Sequence, residues 1–195
     1  MKGLLMVNLG SPDSTSVKDV KRYLDEFLMD KRVIGKSYLF RFLLVKGIIL
    51  NFRPKKSAAA YKKIWWKEGS PLIVLSQRLF DKVKKLITIP AALAMRYGSI
   101  SIYNGIHELD KQGVDEIIIL PLYPHYAMSS YESVVVKVEE EILKNFSHLK
   151  TKVIPAFYND PLYLTAMINN IKSHLKDIDY DYLLFSYHGL PESHL

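Results

Sequence analysis

The sequence predicts an α/β fold in which a parallel sheet is flanked by helices on both faces. Three observations carry this prediction. From Ala91 onward, short apolar runs alternate with segments whose apolar residues recur at helical spacing. The runs are apolar at almost every position, as in strands covered on both faces. Each run also ends in a marked loop, and parallel strands bring such loops to one carboxyl edge, where open α/β sheets place ligands.

The elements follow in order. Gly3 to Leu9 is an apolar run closed by Gly10-Ser11-Pro12-Asp13 and reads as a buried strand. Ser16 with Asp19 resembles a capping box, and Val17, Val20, Leu24, Phe27 and Leu28 follow on one helical face. Tyr38 to Phe52 is apolar on nearly all faces and reads as helix. It contains Arg41, Lys46, Gly47 and Asn51, and it is shorter than the ~20 residues that span a bilayer. Ala58, Tyr61, Ile64 and Trp65 share a helical face, as do Leu75, Leu79, Val83 and Leu86.

Alternation then becomes regular. Strands are expected at Ala91–Met95, Glu116–Leu120, Val153–Phe157 and Tyr182–Ser186. Helices are expected around Ile102–Leu109, Ser129–Phe146 and Leu162–Leu175.

Composition narrows the function. The 195 residues are 49% hydrophobic and 24% charged, within the range of a globular protein with one full domain and the start of another. With no cysteine, disulfides, thiolate metal sites and an Fe–S cluster within this stretch are excluded. The net charge of +7 comes from scattered residues, densest at Arg53 to Lys56 and at Lys62-Lys63, with no nucleic-acid module around them. An anionic small ligand or an anionic membrane surface accounts for that charge. The apolar run after Met1-Lys2 is too short for a signal-peptide core with a cleavage site.

The loops after the strands carry Asn8 to Asp13, Arg96-Tyr97-Gly98, Pro121 to Tyr126, Tyr158 to Pro161 and Ser186-Tyr187-His188. An edge rich in tyrosine, hydroxyls, histidine and Arg96 suits a flat, partly apolar, partly anionic ligand. Neither Gly-x-Gly-x-x-Gly nor Gly-x-x-x-x-Gly-Lys-Ser/Thr occurs, so the two commonest phosphate cradles are absent.

In this order the loops resemble those of the ferrochelatases, which insert ferrous iron into protoporphyrin IX in the last step of haem synthesis. The matching blocks are Val7 to Asp13; Arg22-Tyr23-Leu24 with Phe27, Leu28 and Asp30 to Ile34; Tyr61 to Leu72; Met95 to Gly98; and Leu120 to Tyr126. Phe185 to Pro191, with Ser186, His188 and Gly189, resembles the family signature. Together they cover nearly the whole chain.

The resemblance implies a chelatase-like first domain over residues 1–150. A second, similar domain would begin at 151–195 and be only begun there, with an acidic residue opposite the histidine and a closing helix in the remainder. His188 is the implied catalytic residue, as proton acceptor or as metal ligand. An imidazole nitrogen can serve in either task. Arg53, Ser70, Arg96, Tyr97, Tyr123 and Ser129 are implied as porphyrin-pocket residues, and arginine suits bidentate contact with a carboxylate. Asp13 stands where relatives vary. His125 is expected at the pocket rim or in a structural role, Trp65 in the core and Glu139-Glu140-Glu141 on a solvated face.

Ferrous iron and protoporphyrin IX are the expected substrates, with no tightly bound cofactor and no nucleic acid. Residues 38–52 match the family's hydrophobic lip. That window is either a buried helix or a contact with an anionic bilayer, which would place a cytoplasmic protein at the inner membrane face. Two other readings remain: a cobalt or nickel chelatase acting on a more carboxylated tetrapyrrole, and a non-catalytic tetrapyrrole-binding module.

Overall fold

A computed structural model describes residues 1–194. At its centre is a four-stranded, wholly parallel sheet of order β2-β1-β3-β4, built from β1 (Lys2–Gly10), β2 (Ala91–Tyr97), β3 (Glu116–Pro121) and β4 (Lys150–Val153). The fold class read from the sequence is the one observed.

Helices cover both faces. On one lie α5 (Ile102–Lys111) and α6 (Ser133–Asn145). Their Ile106, Leu109, Val134 and Val138 close over Leu5, Val7, Ala92, Ala94, Ile117 and Ile119 of the sheet. On the other face α4 (Pro71–Lys84) packs Phe80 against Met6 and Ala91. Leu5 and Val7 on the first face and Met6 and Ala91 on the second are all buried, which is why these runs lack the alternation of half-exposed strands.

A helical layer between β1 and β2 has its own small core. Helix α1 (Val17–Leu28) starts as its sequence indicates, with Ser16 Oγ accepting the Asp19 N–H at 3.1 Å. It presents Val20, Leu24 and Leu28 to Val45, Leu50 and Ala58. The latter three come from a run of consecutive helical segments: α2 (Tyr38–Phe42), a π-helical turn (Leu43–Ile49) and α3 (Leu50–Ile64). Pro54 lies inside α3 and has no N–H to offer the Leu50 carbonyl; the wider π turn immediately precedes that defect.

Two expectations are corrected. The fourth strand is Lys150–Val153, displaced toward the N-terminus from the expected Val153–Phe157. It belongs to the same sheet, pairing with β3 from Lys150 onward. No strand forms over Tyr182–Ser186: the segment is irregular and exposed, with Tyr182 and Leu184 at 93% and 90%. A strand needs a neighbour to satisfy its backbone, and none lies alongside among the described residues. Helix α7 (Pro161–Leu175) forms as expected, capped by Asp160, but buries none of its residues.

Candidate functional site

The site grows from the carboxyl ends of β1 and β2. Gly10, the last residue of β1, is paired in register with Tyr97, the last residue of β2. Its φ of +100° is glycine territory, and a Cβ there would lie 1.9 Å from the Tyr97 carbonyl oxygen. This close approach lets the loop Ser11-Pro12-Asp13 turn across the top of β2.

That loop, Trp65, the Gly69-Ser70 turn and the end of β2 enclose a cleft of about 290 Å³. Ser70 is buried and is the N-cap of α4, but its hydroxyl makes no capping bond. Ser11 is also buried, and its Oγ has no hydrogen-bond partner among the described residues. Two hydroxyls, Ser70 at the start of α4 and Ser11 beyond β1, therefore border one space, an arrangement suited to an anionic or carbonyl oxygen. Asp13 is already engaged, accepting from Ser99 Oγ at 2.6 Å and pairing with Arg22.

A second cleft, about 420 Å³, lies between α1 and α3 and is lined by Tyr23, Phe27, Arg53, Ser57, Tyr61 and Ile64. Arg53 also borders a further hollow along α3 with Phe52 and Lys56. Aromatic contacts link the two clefts. Tyr97 of the first meets Phe27 and Tyr23 of the second edge-on, at 5.2 and 6.4 Å between ring centres. Tyr61 meets Trp65 in the same way at 6.2 Å. Trp65, expected as a core residue, is half-buried and lines the first cleft because the chain turns extended immediately after α3.

Behind Tyr97 lies a buried polar cluster. Asp30, just past α1, accepts from Arg96 Nη2 at 2.5 Å, from the Tyr97 hydroxyl at 2.8 Å and from Ser133 Oγ. Arg96 Nε donates to Ser133 Oγ at 2.7 Å and to the Ser133 carbonyl at 3.0 Å. Burial alone would raise the Asp30 pKa. The Ser133 hydroxyl, the Arg32 N–H, the Arg96 charge and the Tyr97 hydroxyl outweigh it and hold the carboxyl below its usual range. Burial pushes the Tyr97 phenol up, so it stays protonated at neutral pH. The Tyr123 hydroxyl is buried without a partner among the described residues, and burial likewise pushes it up.

The sequence-derived candidates are thus partly gathered. Ser70 and Tyr97 share the first cleft, Arg53 lines the second, and Arg96 sits behind Tyr97 with its guanidinium turned to Asp30. Ser129 lies in a half-buried π-helical turn (Met128–Glu132) before α6. His188 is exposed in the irregular segment, because the strand expected to carry it to the sheet edge is not formed. His125 is exposed and stacks on Tyr158 with ring centres 5.5 Å apart. Asp30 and Ser133 were not singled out from the sequence. An acid that ends a helix and a serine that begins one look ordinary until the fold brings them together across 103 residues.

Among the described residues no group of three or more histidine, aspartate or glutamate side chains is placed to hold a metal ion. Nor is any helix among them long and apolar enough to cross a membrane.

Comparison with known proteins accords with this geometry. The model of the ferrochelatase family matches residues 1–195. The ferrochelatase of Opitutus terrae is 46% identical over 197 residues, covering all of this chain and 57% of that protein. The ferrochelatase of Stutzerimonas stutzeri is 46% identical over 195 residues, with the same coverage. That of Pseudomonas fluorescens strain Pf0-1 is 47% identical over 193 residues, covering 98% of this chain and 56% of that protein. The chain therefore spans a little over half the length of these curated relatives. The family match runs unbroken through the sheet, the two clefts and the segment bearing His188, and on that ground the chain belongs to the ferrochelatase family.

Proposed function

We propose that the chain is the porphyrin-holding part of a ferrochelatase, which inserts ferrous iron into protoporphyrin IX. The observation that carries this reading is the pair of clefts joined by Tyr97, Tyr23, Phe27, Tyr61 and Trp65. Phe27, Tyr61 and Trp65, the partly exposed members, offer apolar contact to a macrocycle, with Tyr97 and Tyr23 buried beneath them. Arg53 at one end, and the hydroxyls of Ser11 and Ser70 at the other, offer partners to its carboxylates. Tyr123 and Ser129 are assigned to the same pocket on the family resemblance.

Metal insertion requires the two pyrrole N–H protons to leave and the ring to bend so that its nitrogen lone pairs face the ion. His188 is assigned one of two tasks, accepting a pyrrole proton or handing over the ferrous ion. Either task brings the segment around Ser186 to Pro191 against the clefts. No tightly bound cofactor is required, and nucleic acid has no place in this scheme.

The test is an anaerobic titration of protoporphyrin IX fluorescence in detergent micelles, followed by ferrous or zinc ion. Arg53→Ala is expected to weaken porphyrin binding about tenfold, the scale of one charge-assisted contact. His188→Ala is expected to leave binding intact and to abolish whatever metal insertion the parent shows. Binding without turnover in the parent would favour the tetrapyrrole-binding module. Preference for a more carboxylated ring with cobalt or nickel would favour the other chelatases. Failure to bind any porphyrin would refute the reading.

We further propose that residues 38–52 touch an anionic bilayer, placing the protein at the cytoplasmic face of a membrane. Leu39 and Phe52 are 66% and 79% exposed, and Tyr38, Phe40, Leu43 and Ile48 are exposed beside them. Two of the three basic side chains that the sequence suggested, Arg41, Lys46 and Arg53, are engaged elsewhere. Arg41 is buried and donates to the Lys36 carbonyl, and Lys46 is paired with Asp25. The exposed Arg53, Lys55 and Lys56 supply the positive charge instead. Phe40→Ser with Phe52→Ser should abolish co-sedimentation with phosphatidylserine-containing vesicles; retention would place the contact elsewhere.

A further inference from the structure

We infer that Asp30 is a positioning residue for the porphyrin cleft, acting through Tyr97, and that Ser133 shares this role. The inference rests on the porphyrin reading above and extends it to residues that do not line the cleft.

Asp30 joins three parts of the chain: the turn after α1, the end of β2 and the start of α6. Its Oδ1 accepts the Arg32 N–H at 2.8 Å. Its Oδ2 accepts from Tyr97 OH, Arg96 Nη2 and Ser133 Oγ. A neighbouring ion pair, Arg32 Nε to Glu132 Oε1 at 3.1 Å, joins the same turn to the π-helical turn before α6.

The consequence falls on Tyr97. Its hydroxyl is held by Asp30 at 2.8 Å and lies 3.1 Å from Ser133 Oγ. The Arg96 guanidinium lies over its ring, 4.3 Å from the centroid. The ring is thus fixed at its polar tip and on one face, and it also lines the cleft beside Ser11 and Ser70. Pairing with Asp30 also turns the Arg96 charge inward. That charge is thereby spent within the buried cluster and not on the cleft.

A merely structural network would move stability and leave affinity alone, so the test separates the two. Protoporphyrin IX fluorescence titrations in neutral detergent micelles compare the full chain with Asp30→Asn, Tyr97→Phe and the double variant, each with its urea unfolding midpoint. Asp30→Asn and Tyr97→Phe are each expected to weaken binding about tenfold, the worth of one hydrogen bond to a charged group. The double variant should bind no more weakly than either single, because both remove the same constraint. Should Asp30→Asn fail to fold, Ser133→Ala removes one donor at the same oxygen. It should weaken binding about threefold, with no further loss in the Tyr97→Phe background. Porphyrin affinity unchanged in Asp30→Asn or Ser133→Ala, or losses that simply add, would overturn the inference and leave the porphyrin reading standing. A parent chain that binds no porphyrin would overturn both.

Discussion

Gly10→Ala is expected to destabilise the protein by about 3 kcal/mol or more, the upper end of the cost of a disallowed backbone conformation. Two effects combine. A φ of +100° strains any residue bearing a Cβ, and here that Cβ would sit 1.9 Å from the Tyr97 carbonyl oxygen. The obstruction is backbone, so no rotamer change relieves it. Relief requires β1 and β2 to part at Gly10↔Tyr97, the last register pair between them. Loss of stability and displacement of the cleft floor should therefore appear together. Urea denaturation reads the first, and porphyrin titration of the surviving folded fraction reads the second. An unchanged unfolding midpoint would show that the two strand ends are not locked.

Leu5→Ala should cost about 2–5 kcal/mol, as large-to-small replacements in closed cores do. Leu5 is in the middle of β1, fully buried, with β2 on one side and β3 on the other. Above it α5 comes so close that a Cβ on Gly105 would lie 2.8 Å from Leu5 Cδ1 and 3.2 Å from Ala94 Cβ. Helix and sheet are therefore in contact with little freedom to close a gap. The same crowding yields a sharper expectation. Gly105→Ala alone should destabilise by about 1–3 kcal/mol through overpacking. Combined with Leu5→Ala it should cost less than the sum, because the new methyl enters the space just vacated. Additive costs in chemical denaturation would mean that α5 shifts outward instead.

Elements covered on both faces were the legible ones. The runs at Gly3 to Leu9, Ala91 to Met95 and Glu116 to Leu120 announce buried strands because nothing in the fold exposes their side chains, and all three lie within strands. Ser16 announces the start of α1 because capping is decided within four residues. Edges were harder to read. Lys150, Thr151 and Lys152 form β4 through backbone pairing on a solvated edge, while hydropathy points to the residues after Val153. Tyr182–Ser186 errs in the opposite direction: its side chains suit a strand, but pairing depends on a neighbour that composition cannot supply. Within the site, Ser70 could be found because it lies in a marked turn and Tyr97 because it ends a buried run, both in blocks resembling the family's. Asp30, Ser11 and Ser133 owe their importance to partners or burial that only the fold creates. Periodicity is blind to those relations.

The exposed segment that replaces the expected last strand has a consequence for the protein in solution. Tyr182-Leu183-Leu184-Phe185-Ser186-Tyr187 is six residues long, uncharged, free of proline and glycine, and rich in aromatic and branched side chains. Windows of that composition stack readily into dry, interdigitated cross-β arrays. Asp179 and Asp181 flank it on one side, like the charged gatekeepers that keep such windows apart. On the other side Gly189 and Pro191 interrupt further extension. Asp179→Ala with Asp181→Ala should therefore speed self-association of the chain, read by light scattering at fixed pH and protein concentration.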